Sequence, residues 1–336
     1  MSVFIVAELS ANHGNNIDIV KKSIVKAREI GCDAIKIQTF RPDQITLDCD
    51  NEYFRIDNGT LWDGTTLYNL YKGTYLPWEW HEEIFDYAKK IGITLFSTPF
   101  DESAIELLEK CNNPIYKIAS FEITDLNLIR KAAECGKPMV ISTGIATEEE
   151  IIDAISVCKE ANNFDITLLQ CTSEYPARIE DANLATMVDM KDRFGVKIGL
   201  SDHTHGSIVA STAVALGACL VEKHFTIDKR IGGPDEAFSL DAIEFSKLVE
   251  EIRAVEKCIG KISYDMNEKK EKNRKFARSL FVVQDVKKGD FISRENVRSI
   301  RPGDGIAPKY LDSIIGKRFV TDICRGTPLS LKHVEE

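Results

Sequence analysis

The 336-residue sequence has no uninterrupted apolar stretch long enough to span a bilayer, so a helical membrane protein is not expected. The apolar run at residues 3–7 stops at Glu8 and has no positively charged lead-in, unlike a signal peptide. Excess positive charge is also missing. With 43 Lys and Arg against 53 Asp and Glu, the formal net charge is -10. That balance argues against broad nucleic-acid binding and against docking on an anionic membrane face. An anionic ligand must therefore meet a local concentration of positive groups. No two of the nine cysteines form a C-x-x-C pair. Their scatter fits free thiols in a reducing cytoplasm. Cys171 is the best placed for catalysis, although a small buried hydrophobe is the plainer reading.

Two further absences bear on the fold. No tight hairpin turn joins the short β-type runs, and no glycine-rich phosphate loop follows the first of them. What is present is alternation. Strands are expected at 3–7, 34–38, 94–98, 115–118, 139–142, 166–170, 197–201 and 220–224. Helix-period segments such as 17–30, 80–91, 148–161, 207–216 and 240–258 separate or follow them, with Gly31, Gly92, Gly136 and Gly217 just past helix ends. Eight strand–helix units predict an α/β protein, a (β/α)8 TIM barrel over residues 1–262. A doubly wound open sheet is the main competitor. Residues 263–277, rich in lysine and glutamate, read as a linker or a short polar helix. Residues 278–336 form a small domain with a weak repeat, in which Val286-Lys287-Lys288-Gly289 through Val297 recurs as Ile323-Cys324-Arg325-Gly326 through Val334. Each copy predicts a strand, a basic turn with glycine and a short helical stretch.

Side chains at the carboxyl ends of barrel strands reach the catalytic face, and every second residue shares a side. Parity then selects Glu8; Lys36 with Gln38, opposite Ile35 and Ile37; Thr98; Lys117, followed by Ser120 and Glu122; Ser142; Ser201 with Asp202 and His203; and Glu222 with His224. A lysine within an apolar strand is costly without a partner. Two of them among several hydroxyls point to a bound phosphate or carboxylate. Internal pairing with Glu8, Glu122 or Glu222 is the alternative. His203 and His224 end consecutive strands and can converge on one cation, manganese, cobalt, iron or zinc rather than calcium. His205 and His13 read as loop residues beside the site. The segment 41–77 is far longer than an ordinary connection and carries Tyr53, Phe54, Trp62, Tyr68, Tyr71 and Tyr75. It is either a lid or substrate wall, or an extra packing layer or subunit contact.

The motifs A-E-L-S-A-N-H-G (7–14), K-I-Q-T (36–39), S-T-P-F (97–100), Y-K-I-A-S (116–120), S-T-G (142–144), C-T-S-E-Y-P (171–176), G-L-S-D-H-T (199–204), E-K-H-F (222–225) and G-G-P-D (232–235) run through the barrel in order. Together they resemble the sialic acid synthase family, and R-P-G-D-G (301–305) resembles its small antifreeze-like (SAF) β-clip domain. L-W-D-G-T-T-L-Y-N-L-Y-K (61–72) and P-W-E-W-H (77–81) are similar to the pseudaminic acid synthase branch. The resemblance implies a metal-dependent transferase that condenses phosphoenolpyruvate with 2,4-diacetamido-2,4,6-trideoxy-L-altrose. It places phosphoenolpyruvate on Lys36, Thr98, Lys117, Ser120, Ser142 and Ser201. It gives His203 and His224 a divalent ion, manganese with magnesium or cobalt as alternatives. Glu8, Gln38, Glu122, Tyr175 and Asp235 would line the sugar and reaction centre, with Glu8, Glu122 and Lys117 in catalytic roles. Arg301 would come from the partner subunit of a domain-swapped homodimer. Ser173 departs from the asparagine of sialic acid members, which counts against N-acetylmannosamine as substrate. Rival readings are a sialic or legionaminic acid synthase, a metal-dependent barrel hydrolase, and a sugar-binding protein without activity.

Overall fold

The computed structural model describes residues 2–57, 59 and 62–335. Leu61, which opens the motif at 61–72, lies outside the described residues, as do Met1 and Glu336 at the outer bounds of the two expected domains. Two compact units are present, Met1–Gly260 and Lys261–Glu336.

In the first unit eight parallel strands close into a barrel in sequence order. They are β1 (Phe4–Glu8), β2 (Ala34–Thr39), β3 (Thr94–Pro99), β4 (Tyr116–Ile118), β5 (Met139–Ser142), β6 (Ile166–Cys171), β7 (Lys197–Asp202) and β8 (Leu220–His224). The expected strands are all there, with small shifts at their ends. The long helix Ala242–Ile259 starts later than its apolar pattern implies, because Asp241 caps it and Glu244 closes a capping box. Gly92 ends the helix His81–Ile91 in the left-handed region, at φ 78°.

The two faces of each strand do different work. Outward residues such as Ile5, Ala7, Ile35, Ile37, Leu95 and Ile118 pack under the helices. Inward, Val6, Ala34, Phe96, Val140, Leu169 and Leu220 form a separate apolar cluster that plugs the barrel. Two residues further along the same strands, the inward positions turn polar: Glu8, Lys36, Thr98, Ser142 and Glu222. The plug thus forms the dry floor on which a charged layer rests. Gly199 belongs to this floor and pairs in register with Leu169.

The second unit has its own core of Leu280, Val282, Val286, Ile292, Val297, Phe319 and Leu329. Residues 263–277 include a short exposed helix, Glu268–Arg274. The repeat is real in one respect, since Val286 and Ile323 pair with each other antiparallel. It fails in another. The first copy has no helical stretch, because Asn296 accepts from the Ser293 amide at 2.9 Å and donates to the Phe291 carbonyl at 2.9 Å, folding a turn into the strand Val297–Ile300. Only the second copy carries a short helical turn, at Leu331–His333. Among the described residues no helix is long and apolar enough to cross a membrane.

A side chain at Gly199 would meet the Leu220 carbonyl oxygen at 2.5 Å and Leu169 Cδ2 at 2.7 Å. Gly199→Ala is therefore expected to lose about 1–3 kcal/mol of stability, read as a lowered denaturation midpoint with an unchanged slope.

Candidate active site

The layer above the plug is a four-residue charge cluster. Lys36 Nζ lies 2.7 Å from Glu8 Oε2 and 3.8 Å from Glu222 Oε1, while Lys117 Nζ donates to Glu222 Oε1 at 2.9 Å. All four side chains are buried. Internal pairing of the lysines is thus present, and formal charges cancel. The two carboxylates nevertheless behave differently. Burial, reinforced by the Glu222 charge, outweighs the pull of Lys36 and pushes Glu8 up to about 7. Glu222, in spite of its burial, is drawn down to about 2 by Lys117 and Lys36. Glu222 keeps its charge, whereas Glu8 takes up a proton near neutrality. When it does, the cluster holds two ammonium groups against one carboxylate and can receive an anion.

Hydroxyls surround this cluster. Thr98 Oγ1 accepts from Lys36 at 3.1 Å, Ser201 Oγ donates to Glu222 at 3.2 Å, and Ser120 Oγ accepts from the Gly144 amide at 3.0 Å. Ser142 Oγ, Glu8 Oε1, Glu222 Oε2, Glu122 Oε2 and His224 Nδ1 are buried without a hydrogen-bond partner. Each such atom costs on the order of 1–3 kcal/mol unless a ligand satisfies it. Their concentration at one barrel mouth leaves donors and acceptors there that a ligand could satisfy.

His203 and His224 stand beside the cluster with ring centroids 5.3 Å apart. His203 Nδ1 donates to the Thr172 carbonyl at 2.8 Å, which leaves Nε2 as the lone-pair nitrogen. Burial, with the positive charges of His203, Lys36 and Lys117, lowers the pKa of His224 far enough to keep it neutral. His203 is the opposite case, since in spite of burial the Cys171 thiol, the Thr172 carbonyl and Glu222 raise its pKa, so it must shed a proton before both imidazoles can offer lone pairs to a divalent transition ion. No third His, Cys, Asp or Glu completes a protein cage among the described residues, so water or substrate would fill the other positions. Asp235 Oδ2 is 3.9 Å from His224 Nδ1 and accepts from the Ala11 amide at 3.3 Å.

A model of the NeuB family matches residues 23–264 and a model of the SAF domain matches residues 277–335. The chain belongs to the NeuB family. It is 48% identical to a pseudaminic acid synthase of Helicobacter pylori, over 98% of this chain and 97% of that protein. An N,N'-diacetyllegionaminic acid synthase of Legionella pneumophila is 36% identical over 100% of this chain and 95% of its own length. In structure it resembles an N-acetylneuraminic acid synthetase of Leptospira borgpetersenii solved with citrate, with a TM-score of 0.72, 30% identity, and coverage of 81% of this chain and 90% of the other.

In this NeuB barrel the polar residues picked by strand parity gather at one mouth, except Asp202, which the alternation of β7 turns to the outer face against Lys223. Gln38 pairs in register with Thr98 and is half-buried. Glu122 sits on a helical turn after β4, its carboxyl pushed up to about 7 chiefly by burial. Tyr175 packs on His203 with centroids 4.4 Å apart, and burial raises its phenol well above the usual range. Arg301 lies exposed in the second unit. His205 is exposed, and His13 is buried, donating through Nε2 to Thr74 O at 3.1 Å. Three features go beyond what the sequence distinguishes. Glu222 ties both lysines together. The Cys171 thiol is buried 3.8 Å from His203 Nδ1 and, against the effect of burial, is lowered to about 7 by that imidazole. Lys223 and Asp202 pair behind the strands at 2.7 Å. The adjacency of Lys223 and Asp202 to the two histidines in sequence was the available signal for the last.

Glu222→Ala leaves the two buried ammonium groups with less compensation and is expected to cost about 3–5 kcal/mol, measured by chemical denaturation. The wild-type contribution has a defined pH window. Because Glu222 is held below its ordinary 4.5, its stabilisation is complete above 4.5 and lost as pH falls toward 2. Glu222→Gln is expected to flatten that part of the acid limb.

Proposed function

We propose that this chain is a pseudaminic acid synthase, joining phosphoenolpyruvate to 2,4-diacetamido-2,4,6-trideoxy-L-altrose and releasing phosphate. The observation that carries the chemistry is the Lys36–Lys117 cluster beside two facing imidazoles on a dry floor. A hydrolase needs no such ammonium pair. High identity to a pseudaminic acid synthase selects the sugar over sialic or legionaminic precursors.

Lys36 and Lys117, with Thr98, Ser120, Ser142 and Ser201, would hold the phosphate and carboxylate. The unpartnered Ser142 Oγ gains its missing bond in that arrangement. Fixed donors stabilise the charge that moves onto phosphate as it leaves. His203 and His224 would hold a divalent ion, manganese by expectation with magnesium or cobalt as alternatives, which would supply Lewis acidity toward the sugar aldehyde. C3 of phosphoenolpyruvate attacks the aldehyde carbon, water adds at C2, and loss of phosphate leaves the keto acid. Glu8 and Glu122, both at about 7, are the groups that can take or give a proton at neutral pH. Gln38, Tyr175 and Asp235 face the sugar side.

The same reading pairs two copies in a domain-swapped homodimer, with Arg301 serving the partner's barrel. In support, Ile262, Tyr264 and Phe276 leave large side chains 92%, 94% and 68% exposed in one chain. Nine free cysteines favour the cytoplasm.

Mass spectrometry of products from each candidate hexose with phosphoenolpyruvate tests the substrate; turnover of N-acetylmannosamine alone would overturn it. By calorimetry, Lys117→Ala is expected to weaken phosphoenolpyruvate binding at least about 100-fold, the cost of leaving a charged partner unmet. His224→Ala is expected to abolish stoichiometric manganese binding in a paramagnetic-resonance titration while leaving the melting curve cooperative.

A further inference from the structure

The insert between β2 and β3 is anchored at two places. The Leu67 amide donates to the Phe54 carbonyl at 2.9 Å and the Ile56 amide to Thr65 O at 2.9 Å, so residues 54–56 and 65–67 run as a paired stem. His13 fixes the far end of the following helix, Leu67–Thr74, through its bond to Thr74 O. From this stem Trp62 reaches the barrel mouth. Its Nε1 donates to the Pro234 carbonyl at 3.3 Å, and its ring lies 5.8 Å from that of Tyr175. Tyr175 in turn contacts Phe238 at 5.1 Å, and Phe238 contacts His224 at 4.9 Å. A continuous aromatic path therefore joins Trp62 to both imidazoles.

Charge divides this mouth into two sides. The ammonium groups and most of the hydroxyls belong to the Lys36–Lys117 side, where an anion is satisfied. The Trp62–Tyr175 side is aromatic and is backed by the fully buried Phe238, and aromatic rings attract C–H groups and methyls rather than phosphate. Trp62 is half-buried. Its bonded neighbour Pro234 adjoins Asp235, the carboxylate beside His224. Building the indole from a long insert, and tying it to that loop by hydrogen bond, fixes the distance between the ring and the reacting centre.

Resting on the function proposed above, we propose that Trp62 is the specificity-determining wall of the sugar subsite, receiving the deoxy methyl and acetamido methyls of an acylated deoxyhexose. It contributes to sugar binding and not to phosphoenolpyruvate binding. The aromatic wall accounts for a sugar poor in hydroxyls better than for one rich in them, because an additional hydroxyl against the indole would lose its water without gaining a partner.

The test separates the two substrates. Trp62→Ala is expected to raise KM for the hexose at least about tenfold, with KM for phosphoenolpyruvate within about twofold of wild type. Trp62→Phe is expected to fall between wild type and Trp62→Ala. Titrating the wild-type protein with hexose is expected to change tryptophan emission, and Trp62→Phe, retaining Trp78 and Trp80, is expected to lose that change. An unaltered hexose KM in Trp62→Ala, an equal rise in both KM values, or a full emission change in Trp62→Phe would overturn the proposal. Should Trp62→Ala fail to fold, the emission experiment decides alone. Should the enzyme turn over a different hexose, the functional reading fails, while the same split between hexose and phosphoenolpyruvate still judges Trp62 on the hexose accepted.

Discussion

Two ammonium groups enclosed by a parallel barrel set the terms for everything around them. Neither Lys36 nor Lys117 reaches solvent, and water cannot screen them. The protein answers with carboxylates, but unequally. Glu222 lies between the two lysines and meets both through Oε1, while Glu8 contacts one and is buried against the charge of Glu222. A cluster neutralised twice over would be an inert structural knot. One that can shed a negative charge by protonating Glu8 is poised to exchange that charge for a ligand's. The apolar plug below matters for the same reason, since Phe96, Leu169 and Leu220 keep water from entering through the barrel floor.

Much of this arrangement was legible because barrel strands obey a period of two. Once the strand carrying Ala34-Ile35-Lys36-Ile37-Gln38 is recognised, the apolar face fixes which way Lys36 and Gln38 point. The same argument recovers Glu8, Thr98, Ser142, Glu222 and His224. Sequence order supplies the ring of strands, and closure turns separate strand ends into one mouth. The final helix shows the limit of the method at its boundary. Its apolar period extends to Leu240, but a capping carboxylate at Asp241 dictates where the backbone enters the helix.

What escaped the sequence is pairing in space. Lys117 and Glu222 stand 105 residues apart, and nothing local reveals that Glu222, rather than Glu8 or Glu122, joins the two lysines. Trp62 and Pro234 are 172 residues apart. An insert without a strong period can be read as wall or packing layer with equal ease, and only its hydrogen bond to the loop before Asp235 places the indole at the mouth. Cys171 adds a third kind of dependence on neighbours. Its inward position at the end of β6 follows from parity, yet the character of its thiol depends on an imidazole from the next strand.

The far side of the same strands explains how the histidines can be held without a protein cage. Lys223 and Asp202 are register partners on β8 and β7, facing away from His224 and His203. Their ion pair is closed to solvent, and burial still pulls Lys223 below its ordinary pKa, so the attraction of Asp202 does not fully offset the desolvation of the lysine. Its geometry has a clearer effect than its energy. Asp202 Oδ1 accepts from the Thr204 hydroxyl and amide at 2.7 and 2.9 Å, and Lys223 also donates to the Thr204 carbonyl. The Ala177 amide then donates to the His203 carbonyl at 3.0 Å, tying down the segment that carries Tyr175. Strand ends in a barrel have no further ladder to hold them. Here a buried ion pair on the outer face replaces it, and the inner face is left free for chemistry.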